Sequence, residues 1–210
     1  MSKTDAFDIS VRDYDRWFEG HALEFELELK AIEALYPKSG EGIEIGVGTG
    51  RFAGPLGIRI GIEPSAAMAA LATRRGIKVI GGSAELLPLK NDCCDHVLMV
   101  TTVCFLESLE QAFAELYRVL RPGGCVVIGF IEKFSILGKK YERQRSISKF
   151  YKDASFHSVD EIVEKLGNKN FKRFDFSQAL LPDDVGAESK PEVKSGYGEG
   201  SFVALRAQRP

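Results

Sequence analysis

Ile43-Glu44-Ile45-Gly46-Val47-Gly48-Thr49-Gly50 is the stretch from which the architecture of this chain can be read. Ile43 to Val47 is a short apolar run of the kind that forms a buried strand, and the three glycines at alternate positions let the chain turn without interference from Cβ atoms. The main-chain N–H groups of such a turn are open to a ligand. Arg51-Phe52-Ala53 is then expected to open a helix whose free N–H groups face the same crevice, at the carboxyl end of the strand. The dinucleotide-binding fingerprint GxGxxG is met only in part. Gly46 and Gly48 fill its first two positions, but the third falls on Arg51 and Gly50 comes one place early.

The chain around this stretch has 210 residues, which suits one domain spanning 1–210 with a real core. Its 44% hydrophobic and 28% charged residues are those of an ordinary soluble globular protein. A formal charge of -2 and a pI near 6.0 give no global attraction to phosphate backbones, so nucleic acid is not an expected partner. Met1 to Asp5 lacks the apolar core of a signal peptide, and no stretch has the length of a membrane span, so a cytoplasmic location without membrane association is expected. Cys93, Cys94, Cys104 and Cys125 lie in or beside apolar runs without CxxC spacing or a neighbouring histidine. They read as buried free thiols, and no metal site is expected.

Taken in order, residues 1–38 read as a helical cover. Ala22 to Leu29 alternates strictly between apolar and polar, as a strand would, but Leu, Glu, Ala and Lys favour helix, Glu26 can pair with Lys30, and Pro37 supplies a stop. Tyr14-Asp15-Arg16-Trp17-Phe18 adds an aromatic cluster ahead of it. Further strands are expected at Ile58–Ile62, Lys78–Gly81, Asp95–Val100 and Cys125–Phe130, apolar on both faces and interleaved with helices, which indicates a parallel sheet covered on both sides. Ser65, Ser108 and Ser158 are the expected N-caps of three helices. Residues 132–157 read as a substrate-side lid that holds a basic stretch from Lys133 to Lys152, and 158–210 as a C-terminal helix and last strands, Phe171–Phe176 and Ser201–Arg206, joined by a long Gly-, Pro- and charge-rich loop from Pro182 to Gly200.

Several segments, in order, resemble the class I S-adenosylmethionine-dependent methyltransferases. Glu44 to Gly50 is similar to their [DE]-x-G-x-G-x-G motif. Gly82-Ser83-Ala84-Glu85-Leu86-Leu87-Pro88-Leu89 is similar to the segment G-D-A-E-x-L-P-F, and Arg118-Val119-Leu120-Arg121-Pro122-Gly123-Gly124 to R-V-L-[KR]-P-G-G. Together they cover 42–130 as a cofactor-binding core. The resemblance implies an α/β, Rossmann-like, doubly wound sheet of seven strands in the order 3-2-1-4-5-7-6, mostly parallel with one antiparallel strand and with helices on both faces. It implies S-adenosyl-L-methionine as cofactor, lying across a cradle that includes Val47, Gly48 and Gly50, with Glu44 and Gly46 at its methionine end and Thr101 lining the transfer site. Glu63, at the end of the second strand, would meet the ribose, with Pro64, Met68, Ser83, Ala84 and Glu85 around the adenine and Tyr14 and Trp17 closing over it. Ser83 departs from the family's usual Asp, which replaces a charged hydrogen-bond acceptor by a neutral one.

Because a sulfonium methyl is already electrophilic, such an enzyme's main task is to hold a nucleophile in line with it, and no dedicated base is required. His157 and Glu107 are the candidates for one. The expected acceptor is a small molecule, and the basic stretch, with Lys139, Lys140, Arg143 and Arg145, would suit an acidic one. A dinucleotide-dependent oxidoreductase and a noncatalytic S-adenosylmethionine-binding protein are the alternatives.

Overall fold

The computed structural model describes residues 5–186 and 190–210; Met1 to Thr4, and 187–189 within the expected loop, lie outside the described residues. The glycine-rich motif leaves strand β1 (Gly42–Ile45), which lies between β2 (Ile60–Ile62) and β4 (Cys94–Val100), all parallel. β3 (Lys78–Ile80) continues the parallel set outside β2, and β5 (Leu120–Ile131) continues it outside β4. Beyond β5 come β8 (Phe202–Gln208), β6 (Lys172–Leu180) and β7 (Glu192–Ser195), each antiparallel to its neighbour.

The sheet therefore has eight strands in the order β3-β2-β1-β4-β5-β8-β6-β7, where seven were expected, and two of them run against the rest instead of one. The addition is β7, inside what the sequence presents as a loop. Four residues bracketed by Pro191 and Gly196, with Glu192 and Lys194 among them, carry no apolar run; they pair because β6 continues to Leu180 and offers Ser177–Leu180 as a free edge. A short, charged strand is a common way to finish a sheet edge.

The strands are apolar on both faces, and the period of two divides them cleanly. From β4, Val97 and Met99 enter one core with Val126, Ile128, Val203 and Leu205, while Leu98 and Val100 enter the other with Val127, Phe202 and Ala204. Helices α4 (Leu109–Val119) and α6 (Val159–Asn168) cover the first face through Phe113, Leu116, Ile162 and Leu166. The second face is covered by α1 (Asp5–Gly20), α2 (Ala22–Glu33) and α3 (Ala66–Arg74), with Phe18, Leu27, Ile32 and Ala72 buried there. α2 is helical despite its alternating sequence, with Leu27, Glu28, Ala31 and Ile32 on its buried side. α5 (Ile136–Gln144) lies within the basic stretch. The hydroxyls of Ser65, Ser108 and Ser158 each accept the backbone N–H three residues on, and Glu161 completes the box at Ser158.

One local expectation fails. Arg51-Phe52-Ala53 does not open a helix; residues 51–57 form successive turns. Gly54, Pro55 and Gly57 explain this, since Pro55 has no N–H to donate and Gly57 takes a positive φ of 71°. No helix of the described residues is long and apolar enough to cross a membrane.

Candidate active site

A cavity of about 1390 Å³ opens at the carboxyl ends of the parallel strands, where chain reversals leave main-chain groups free of the sheet. Its floor is the glycine turn. Gly46 has φ 71°, and a Cβ there would stand 2.4 Å from Thr102 Oγ1, so only glycine lets the turn pass under β4's end. At Gly48, φ 54°, the nearest protein atom to such a Cβ is the Tyr14 hydroxyl at 3.9 Å, so this glycine's bare face looks into the cavity.

Glu63 ends β2 beside this turn and is buried. Gly48 N–H donates to its Oε2 at 2.8 Å and Ser65 N–H to its Oε1 at 2.9 Å. Burial raises its pKa, and those two N–H groups oppose the rise. Each oxygen keeps a further lone pair, so the carboxylate can accept two more hydrogen bonds from the cavity side. Pro64, Met68, Ser83, Ala84, Glu85 and Glu107 also line the cavity. The loop carrying Ser83 to Glu85 is fixed from outside: Arg118 donates to the carbonyls of Leu87 and Leu89 at 3.1 and 2.8 Å and is itself held by Glu115. Two of the sequence motifs are thus one mechanical unit.

Thr101, just past β4, has φ 48°, a conformation rare for a threonine, and its N–H is tied to Gly129 O at 2.7 Å. Tyr14 reaches Thr101 from above. Burial and the neighbouring carboxylates of Glu63 and Glu44 push its phenol above the usual range.

Three of the expected residues support the turn without lining the cavity. Val47 packs into the core against Gly61, and Gly50 lies against Ile77 and Ala72. Glu44 is buried in β1, with its Oε2 unpartnered among the described residues, and burial drives its pKa well up. His157 is not on the main cavity either. It faces a separate space of about 10 Å³, too small for a substrate, and stands 3.4 Å from Glu161. Among the described residues no group of His, Cys, Asp or Glu could hold a metal ion, and Cys93, Cys94, Cys104 and Cys125 form no disulfide, the last three being buried.

The roof is α1, held by a latch that the sequence does not announce. Asp15 accepts from Thr49 Oγ1 at 2.8 Å, Arg51 Nε at 2.9 Å and Arg75 Nη2 at 2.8 Å. Arg51, the residue that spoils the dinucleotide fingerprint, is here used to fasten the cover, and it also lies over the Phe18 ring. Burial works against the charge on Asp15, but the hydrogen bonds from Arg51, Arg75 and Thr49 outweigh it and hold the carboxyl well below its usual range. Asp8 adds a 2.6 Å bond from Ser65 Oγ. Asp15→Ala is expected to lower stability by about 1–2 kcal/mol, less than for a fully buried pair because the groups are 18–32% exposed, and to shift Trp17 fluorescence. A urea midpoint and an emission spectrum identical to wild type would remove the latch.

Trp17, an expected residue, also lines the cavity, together with others that no sequence motif marks. Tyr141, Tyr151 and Leu181 line it, as do Trp17, His21, Glu24 and Glu28, which follow one another along α1 and α2. Their spacing of i, i+4, i+7 and i+11 was the available signal, masked by the attention that the apolar alternation draws. The four basic residues singled out in the sequence do not form a free anion site. Lys140 is paired with Asp183 at 2.8 Å, Arg145 lies 3.7 Å from Glu142 and donates to Ala154 O, and Lys139 and Arg143 are exposed and off the cavity lining; Lys152 of the same stretch is exposed and does line it.

A glycine-cradled crevice with a buried carboxylate at the next strand's end defines a nucleoside-cofactor protein of the Rossmann-like class. Comparison with known proteins narrows this. The family model described as "Methyltransferase domain" matches residues 43–128. A solved structure of an S-adenosylmethionine-dependent methyltransferase from Thermotoga maritima, described as a possible histamine N-methyltransferase, is 43% identical with a TM-score of 0.93, covering 99% of this chain and 100% of that one. An uncharacterized protein of Methanocaldococcus jannaschii is 43% identical over 205 residues, 98% of this chain and 99% of its own length. A malonyl-[acyl-carrier protein] O-methyltransferase of Geobacter sulfurreducens is 27% identical over 226 residues, 96% of this chain and 83% of that protein. The chain belongs to the class I S-adenosylmethionine-dependent methyltransferases, and S-adenosylmethionine is its cofactor. The dinucleotide alternative falls with this finding, and the turn in place of a helix after Gly50 also denies a diphosphate its usual seat.

Proposed function

We propose that this enzyme methylates a small-molecule acceptor held wholly inside the 1390 Å³ cavity, between the glycine turn and the far wall formed by α2 and residues 132–157. The observation that carries the reading is that one continuous cavity is lined both by the cofactor cradle (Gly46, Gly48, Glu63) and by a second group of residues, Trp17, His21, Glu24, Glu28, Tyr141 and Tyr151, termed the far lobe, with α1 fastened to the glycine turn through Asp15, which suits a free metabolite better than a polymer. The residues fit the cofactor: Glu63 offers two acceptor sites for a ribose, Gly46 and Gly48 allow close main-chain approach, and Pro64 and Met68 with the Ser83–Glu85 loop give an apolar slot with backbone donors for an adenine. Ser83, exposed at the rim, is the neutral partner there.

When bound, S-adenosylmethionine supplies a sulfonium methyl that a nitrogen, oxygen or carbon nucleophile displaces in line, leaving the thioether. The protein's own part is positioning. Tyr14 meets Thr101 on the cavity lining, the Asp15 latch ties α1 to the glycine turn, and aromatic side chains of α1 and of residues 141–151 limit the access of water. A neutral nucleophile needs no base, and of the two candidates only Glu107 reaches the cavity, where it is exposed.

The test is calorimetric titration with S-adenosylhomocysteine and with reduced nicotinamide dinucleotide, followed by turnover on a panel of small acceptors. Binding of the first alone with methyl transfer to a free metabolite is expected; tight binding without transfer to any acceptor would favour a noncatalytic role. Within the same assay, Glu63→Ala is expected to weaken S-adenosylhomocysteine by about 1.5–3 kcal/mol. An unchanged affinity in the folded variant would take Glu63 out of the site.

A further inference from the structure

Resting on the methyltransferase reading, we propose that the acceptor is a small amine that enters as its cation, and that Glu28 is the counter-ion that selects it. Glu28 is 5% exposed, lines the far lobe, and makes no hydrogen bond or ion pair with any described residue. A carboxylate withdrawn from water without a partner is costly unless something in its site supplies the opposite charge. The surroundings supply none. Glu24, one helical turn away and also on the cavity, adds a like charge, and Tyr14, Tyr141 and Tyr151 are the other titratable groups facing Glu28. None of the lysines on the lining acts on Glu28, which is acted on by burial and by Glu24: Lys140 is bound to Asp183, Lys149 to Asp13, and Lys152 is exposed.

The same lobe is built for a cation in a second way. Tyr141 and Tyr151 stack with centroids 4.8 Å apart, and Trp17 stacks on His21 at 4.4 Å, so aromatic faces border the carboxylates. Such faces attract a desolvated ammonium through their quadrupoles and repel an anion. An acidic acceptor, which the basic stretch of sequence suggested, would meet the Glu24 carboxylate and the unpartnered Glu28 carboxyl, with no cation facing them. Burial raises the Glu28 pKa to about 8, with Glu24 adding to the rise, so the empty site holds it protonated at neutral pH. Uptake of an ammonium then expels that proton, and amine affinity increases with pH until Glu28 is ionised on its own. Before transfer the bound ammonium returns one proton to the Glu28 carboxylate, so that the freed nitrogen lone pair forms the N–CH3 bond while the C–S bonding pair leaves with the sulfur.

The test is calorimetry on the complex with S-adenosylhomocysteine, with histamine, 2-phenylethylamine and 1,4-diaminobutane as amine probes and 3-phenylpropanoate as the acidic counterpart. At least one amine is expected to bind while 3-phenylpropanoate does not. Titrations at pH 7 in two buffers of different ionisation enthalpy are expected to show proton release. Glu28→Gln is expected to lose about tenfold or more in amine affinity with S-adenosylhomocysteine affinity unchanged, and Glu28→Asp to retain part of it. Failure of S-adenosylhomocysteine to bind would strike the methyltransferase reading itself. Normal cofactor binding with no amine bound, with amines bound equally by Glu28→Gln, or with the acid bound better, would overturn the amine proposal alone; wild-type proton release gives a reading even if the variants fail to fold.

Discussion

Gly46→Ala is expected to abolish measurable S-adenosylhomocysteine binding and to destabilise the fold by about 2–5 kcal/mol. Two independent terms act at this position. The backbone holds φ 71°, where an added Cβ costs about 1–3 kcal/mol. That Cβ would also stand 2.4 Å from Thr102 Oγ1 and 2.7 Å from its Cγ2. Thr102 cannot retreat cheaply, because it is β-branched and its hydroxyl donates to Val100 O at 3.0 Å. Relief must come from the turn itself, whose N–H groups at 46 and 47 both bind Ile62 O, so β2 and Glu63 behind it would move as well. Gly48→Ala is the control. Its Cβ would meet nothing closer than the Tyr14 hydroxyl at 3.9 Å, so the fold is expected to survive with only the backbone cost while the methyl group occupies the cofactor's approach. Urea denaturation and calorimetry on both variants check this. Cofactor affinity in Gly46→Ala within threefold of wild type would mean that the turn is not the floor of the site.

The parts of this design legible from sequence are those written in short range. The strand-and-glycine run of β1, the apolar strands β4 and β5, and three serine caps are each decided within a few residues, and all appear where the sequence puts them. Glu63 could be placed because a strand end fixes where its side chain points. What escaped is long-range or conditional. The Asp15 latch joins positions 36 and 60 residues apart, and nothing local marks Asp15 as different from Asp13 or Asp8. β7 exists only because β6 overruns its expected end, and the turns at 51–57 reflect Pro55 overriding an otherwise plausible helix start. Glu28 was hidden for another reason: in a helix of alternating Leu and Glu, a buried glutamate is indistinguishable from its solvated neighbours Glu24 and Glu26 until the packing of α2 is known.

That burial makes Glu28→Gln an expected stabiliser above pH 8, by about 2–4 kcal/mol, where most substitutions of a buried residue destabilise. The carboxyl titrates at about 8 in the folded chain against an ordinary 4.5, with burial the main cause and Glu24 the next. A raised folded pKa means that the native state binds the proton more tightly, so stability is greatest below about 4.5, falls as pH rises through the window from 4.5 to 8, and is flat beyond it. The full shift corresponds to ~5 kcal/mol, and a buried amide returns about 1–3 of that in its own unmet hydrogen bonds, which leaves the stated gain. At pH 5, where little of the shift is yet felt, the same amide cost leaves the variant level with wild type or up to about 2 kcal/mol less stable. Glu44, also raised by burial, titrates in both, so the difference between them isolates Glu28. Thermal melts at pH 5 and pH 9 decide it: a variant less stable than wild type at pH 9 would show that the carboxylate already has its partner within the fold. A gain would place Glu28 among residues kept at a cost to stability, and what such a charge waits for in an aromatic lobe is a cation that the folded chain does not itself provide.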